Sequence, residues 1–194
     1  MKNIRSNIIA AGILCLSLGM TSCTKGFLDV ESKTESTTGN FYKTEQDAYR
    51  ALLGCYDGYR RATCGSAVNF LVSAEVMGYE CFGGSGASDG NGMRVTDRFD
   101  LSEMPSSTGS SWSGYYAGIY RCNELITREN SIQWNETGSM HTQYMAECHA
   151  IRAFLYFDVV RQFGNIPLLT KPTDENIPQA DPADVYKLIF DDLK

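Results

Sequence analysis

The chain has 194 residues, with 17 Lys and Arg against 23 Asp and Glu, a formal charge of −6 and a mean hydropathy of −0.25. That acidity leaves no basic face to displace phosphate counterions, so nucleic acid is excluded as a partner. The length suits about one domain beyond any targeting segment. The seven cysteines form no CxxC pair, so their spacing indicates neither a zinc site nor a complete disulfide framework.

Residues 1–22 open with Lys2 and Arg5, carry no carboxylate, and continue in an apolar run from Ile8 to Met20. A core of about a dozen residues is too short for a membrane-spanning helix, which needs roughly 20, and fits a secretory signal peptide. The small pair Thr21-Ser22 and then Cys23 resemble the lipobox of bacterial lipoproteins, in which the chain is cut before a cysteine that becomes acylated. Met20 departs from the leucine usual three places before that cysteine. No aspartate follows Cys23, which favours the outer membrane. Each buried methylene of an acyl chain adds about 0.8 kcal/mol, so two or three chains anchor a domain firmly without a charged membrane-binding helix. Residues 23–43 are polar and rich in Ser and Thr apart from Phe27-Leu28-Asp29-Val30, and read as a lipid-anchored tether.

Residues 44–194 read as a helical domain. Thr44 stands three residues before Asp47, a capping-box-like start, and Ala48, Leu52, Cys55, Tyr56 and Tyr59 follow at helical spacing. Gly65-Ser66 opens a shorter helix through Phe70, Leu71, Ala74 and Met77. The segment from Gly78 to Ser111 is rich in glycine and serine and is expected to hold no regular helix. Trp112, Tyr115, Tyr116, Ile119, Cys122 and Ile126 predict a third helix. A fourth runs from about Met140 to Phe163 and stops at Gly164, a left-handed C-terminal position. Asn165 to Leu169 is extended. Asp181-Pro182 then supplies an N-cap and a proline in the first turn of a last helix, whose apolar face is Val185, Leu188, Ile189 and Leu193. The sequence stops with that stripe still running, which predicts a longer protein whose later helices cover it. Of the cysteines, Cys55, Cys122 and Cys148 lie within helical patterns, as small buried hydrophobes do, while Cys64 and Cys81 flank a predicted helix and could bridge.

Glu147 to Leu169, ECHAIRAFLYFDVVRQFGNIPLL, closely resembles the signature helix and exit loop of the SusD-like (SusD/RagB) outer-membrane lipoproteins. Trp112 to Ile126 is similar to the preceding family helix, with its Arg-x-Asn element at Arg121 and Asn123. Cys23, FLDV at 27–30 and the helix at 44–59 stand in the family's order. The resemblance implies a mainly α fold of tetratricopeptide-like antiparallel helix pairs with long loops, truncated here. It also implies a cell-surface protein of Bacteroidetes-type bacteria that captures glycan, or in some members peptide, for import through a SusC-like TonB-dependent transporter.

No stretch carries catalytic or metal chemistry. GGSGASDGNG at 83–92 lacks the Lys-Ser/Thr ending of a phosphate loop, and no metal triad surrounds His141 or His149. No nucleophile, base and orienting group can be named together, so an enzyme and a bound cofactor are not expected. Arg121, Asn123, Arg152, Tyr156 and Phe157 sit in or beside apolar helix faces, where polar groups usually serve packing. The segment 79–111 is the place for ligand contacts, because a sugar's apolar face wants an aromatic platform beside amides, carboxylates or arginine. It offers Tyr79, Phe82, Asp89, Asn91, Arg94 and Asp97. The competing expectation is a lipid-anchored helical scaffold that binds peptide or protein.

Overall fold

The computed structural model describes residues 41–64, 69–84, 86, 91–100, 102, 104–135 and 139–194. The expected signal peptide, Cys23 and the tether up to residue 40 lie outside the described residues, as does Asp89. The described part is mainly helical: α1 (Glu45–Cys64), α2 (Phe70–Met77), α3 (Asn91–Asp97), α4 (Met104–Arg128), a 3-10 turn (Glu129–Ser131), α5 (Ser139–Phe163) and α6 (Pro182–Asp192). Ile166–Pro167 (β1) pairs antiparallel with Gln179–Ala180 (β2) and closes the excursion between α5 and α6.

Local signals in the sequence set the helix ends. The Thr44 Oγ1 accepts from the Asp47 amide at 3.2 Å while the Asp47 carboxylate accepts from the Thr44 amide at 3.0 Å, the reciprocal bonds of a capping box. Asp181 accepts from the Ala183 amide at 2.8 Å at the start of α6. Gly164 ends α5 at φ 72°, where a side chain would be strained. The second helix starts later than expected: its N-cap is Asn69, whose side chain accepts from the Val72 amide at 3.0 Å.

The core lies where α1, α4 and α5 meet, with α6 laid along α5. Ala48, Leu52 and Cys55 from α1, Tyr115, Ile119, Cys122 and Leu125 from α4, and Leu155 and Val159 from α5 are buried in it. Two glycines set the spacing between helices. A Cβ on Gly58 would sit 2.9 Å from the Gly118 Cα, and one on Gly118 would sit 2.9 Å from a Leu155 methyl, so α1 and α4 touch backbone to backbone. Arg121 fastens the same pair by donating to the Gly54 carbonyl and the Asp57 carboxylate, both at 2.9 Å.

Three expectations are corrected. The Gly78–Ser111 segment is not free of helix: it contains α3 and the first turns of α4. Ser113 of α4 bonds back to the Gly109 carbonyl at 3.0 Å, and α3 is held by packing on α4 rather than by its own propensity. Cys64 and Cys81 are both free, exposed thiols, not a bridge. The stripe on α6 is largely covered already, because α6 docks on α5: Val185 and Ile189 are buried, Leu188 is half-buried against the core, and Leu193 is exposed.

Candidate functional site

The segment 78–100 makes two helix ends face each other. At the end of α2 the Tyr79 amide donates to the Val76 carbonyl at 3.3 Å and the Glu80 amide to the Glu75 carbonyl at 3.0 Å. At the end of α3 the Phe99 amide donates to the Thr96 carbonyl at 3.1 Å and the Asp100 amide to the Val95 carbonyl at 3.0 Å. Both are Schellman motifs, and in each the position that must be left-handed, usually glycine, holds an aromatic residue: Tyr79 at φ 63° and Phe99 at φ 52°. The two rings approach with centroids 6.3 Å apart.

The chain after Cys81 turns back against α3 so closely that a Cβ on Gly83 would fall 2.3 Å from the Met93 carbonyl oxygen and 2.5 Å from the Asp97 Cβ. Only glycine passes there. Phe82 is 92% exposed, Tyr79 81% and Phe99 41%. The Tyr79–Phe99 pair and Phe82, three residues after Tyr79, are thus exposed aromatic side chains of this segment, and the Gly83 backbone that follows Phe82 lies against the half-buried Asp97. Two of these aromatic residues hold backbone conformations that L-residues adopt at a cost of about 1–2 kcal/mol.

Of the six expected ligand residues, Tyr79 pairs with Phe99, Phe82 is exposed on the turn, and Asp97 lies against the Gly83 backbone of that turn. Arg94 lies one helical turn back on α3, half-buried. Asn91 begins α3, and its side chain lies outside what is described. Phe99 was missed by sequence reasoning. Its signal is an aromatic residue isolated in the polar run Asp97-Arg98-Phe99-Asp100.

The signature residues form a different constellation, and it is structural. The Arg152 guanidinium donates to Asp192 at 2.6 and 2.8 Å and to the Asn123 side-chain oxygen at 2.8 Å. Asn123 in turn donates to the Leu169 carbonyl at 2.8 Å, and the Tyr156 hydroxyl both donates to that carbonyl and accepts from the Leu169 amide, each at 2.8 Å. His149 completes the Asp192 shell at 2.7 Å. Burial opposes charge on Asp192, but the bonds from Arg152 and His149 outweigh it and hold its carboxyl below the usual carboxylate range. This latch ties α4, α5, α6 and the exit loop together. His141 is packed as well, its ring stacked on Trp134 and its Nε2 2.7 Å from Glu129.

A second aromatic recess, of about 280 Å³, lies between Trp112, Tyr116, Pro167, Leu169, Glu175 and Asn176. Its rings are committed to packing: Trp112 meets Phe163 edge-on at 5.0 Å, and the Tyr116 hydroxyl donates to the Pro167 carbonyl at 2.8 Å. Tyr79, Phe82 and Phe99 have the freer aromatic surface.

The family described as "Starch-binding associating with outer membrane" matches residues 87–194, which include α3, α4, the latch and the exit loop. The chain belongs to the SusD-like family. It is similar to SusD-like protein P38 of Formosa agariphila, 27% identical over all of this chain and 37% of that protein. Among solved structures, a laminarin-binding SusD-like protein is 35% identical with a TM-score of 0.65, over 78% of this chain and 33% of that one. A SusD homolog from Bacteroides thetaiotaomicron is 27% identical with a TM-score of 0.59, over 80% of this chain and 30% of that one. The chain thus spans about a third of the length of these SusD-like relatives. The mainly helical, tetratricopeptide-like architecture expected from the signature residues is the one found.

Proposed function

We propose that this chain is part of a cell-surface lipoprotein that captures glycan and delivers it to a SusC-like TonB-dependent transporter in the outer membrane. The observation that carries the binding reading is the exposed pair of Tyr79 and Phe99 at strained helix-cap positions, with the exposed Phe82 three residues after Tyr79. Strain kept where glycine would relieve it is a mark of function, and an aromatic platform next to a carboxylate matches the apolar faces and hydroxyl rims of a sugar ring. Family membership supports the same ligand class, since the family is described as starch-binding. The laminarin-binding relative makes laminarin a suitable first probe.

The anchor is proposed at Cys23, on the strength of the cationic start, the short apolar core and Thr21-Ser22-Cys23. Among the described residues no helix is long and apolar enough to cross a membrane. Binding, not turnover, is the proposed activity.

The test is a titration of the full-length protein with a panel of soluble glycans and, in parallel, of peptides. Saturable glycan binding that weakens on Phe82→Ala is expected. Saturable peptide binding with no glycan response would replace this reading with the peptide-binding scaffold. Co-purification from outer membranes in mild detergent checks the transporter: absence of any barrel protein would remove the import step.

A further inference from the structure

Cys55, Cys122 and Cys148 come from α1, α4 and α5, one from each helix of the core, and all three are fully enclosed. Their sulfur atoms all lie within 4.8 Å of one another. The Cys55 and Cys148 Sγ atoms are 3.9 Å apart, and the Cys148 thiol points to the Cys122 carbonyl at 3.6 Å. Packing of small hydrophobes explains why each cysteine is buried. It does not explain why three sulfurs from three helices converge on one point.

We propose that this cluster is a binding site for one thiophilic d¹⁰ ion, Cu(I), held by the three sulfurs in a trigonal arrangement. The donor set makes the selection. Calcium and magnesium want oxygen ligands, and structural zinc wants a fourth donor; among the described residues no imidazole or carboxylate joins the three sulfurs. Soft thiolates alone favour Cu(I). With a metal–sulfur bond of about 2.3 Å, a trigonal plane has sulfur–sulfur edges of about 4 Å. The Cys55–Cys148 pair already fits, and the other separations require shifts of less than about 1 Å.

The balance is simple. One Cu(I) enters, three S–H bonds break, three protons leave, and no electron moves. Two cations offset the resulting negative complex: Arg121 acts on Cys55 and Arg152 on Cys122. Because the cluster is enclosed, the ion loads as the chain folds or when the helices part transiently.

The experiment uses the chain carrying Cys15→Ser, Cys23→Ser, Cys64→Ser and Cys81→Ser, so that only the core thiols remain. Anaerobic titration with Cu(I) against a competing chromophoric chelator should give one ion per chain and a raised melting temperature. Adding Cys122→Ala should weaken retention by at least about 100-fold, more than the loss of an outer-shell partner does, and should abolish the copper-dependent rise while leaving a cooperative melt without copper. If that variant does not fold, X-ray absorption of the loaded parent decides: a shell of three sulfurs supports the site, and fewer than three overturn it. Failure to hold copper against the chelator, equal retention by Cys122→Ala, or a thiol count showing a Cys55–Cys148 disulfide in the purified protein would each overturn it.

Discussion

Replacing Tyr79 by glycine separates a strained binding corner from an ordinary covered surface. The left-handed backbone at φ 63° costs a tyrosine about 1–2 kcal/mol that glycine does not incur. Against this, glycine loses more chain entropy on folding, roughly 0.5–1 kcal/mol. The ring is 81% exposed, so about a fifth of the 1.5–3 kcal/mol of a fully buried large side chain is forfeited, a few tenths of a kcal/mol. The balance is a protein that is unchanged or stabilised by up to about 1 kcal/mol. Meanwhile one platform of the corner is gone, and an aromatic contact worth about 1.4 kcal/mol corresponds to a tenfold loss of glycan affinity. Urea unfolding and calorimetric glycan titration of the full-length protein read the two effects separately. A destabilisation above about 1 kcal/mol would show that the ring covers the fold beneath it, and an unchanged affinity would show that the corner does not bind. Either result refutes the argument from strain.

Three further outcomes are expected. Asp192→Asn removes the carboxylate from a latch in which the Asp192 and Arg152 side chains are 4% and 5% exposed, and should cost about 3–5 kcal/mol in chemical denaturation at neutral pH. Because the folded state holds the Asp192 carboxyl below its unfolded value, the latch's contribution is present above about pH 4 and fades as pH falls through the folded-state pKa; Asp192→Asn should flatten that part of the acid limb. Gly118→Val places its branch against the Leu155 methyls and the Gly58 backbone, and should destabilise by more than about 2 kcal/mol in the same assay. Cys23→Ala should leave an unprocessed or soluble form, and fatty-acid labelling that is absent from the wild type would remove the anchor.

Much of the scaffold was legible because its signals are local. Thr44 with Asp47, Asp181 with Pro182, and Gly164 each mark a helix end through a bond or a φ value set within a few residues. The periodicity of α1 and α4 gave most of their buried faces for the same reason, with Tyr56 on α1, 44% exposed, as the exception. What stayed hidden depends on contacts across the chain. Helix α3 has seven residues, including a glycine, and nothing in its sequence outweighs the cost of nucleation; it is held against α4. The covering of Val185 and Ile189 by α5 was equally out of reach, since a stripe in sequence does not say whether its partner comes earlier or later in the chain.

The candidate site shows the same division in a sharper form. Tyr79 and Phe82 could be chosen from composition, as aromatic residues in a glycine-rich stretch. Their backbone state could not, because sequence rules place glycine at a left-handed cap and read any other residue as evidence against one. The structure breaks that rule twice within 21 residues, at Tyr79 and Phe99, and both exceptions are aromatic with rings facing each other. A fold selected only for stability would have little reason to keep either, since glycine at both positions preserves the Schellman bonds, which are made by the backbone. The violation of the local rule is therefore the informative feature: residue type offered Phe99 only as one aromatic among polar neighbours, and its left-handed backbone is what sets it apart.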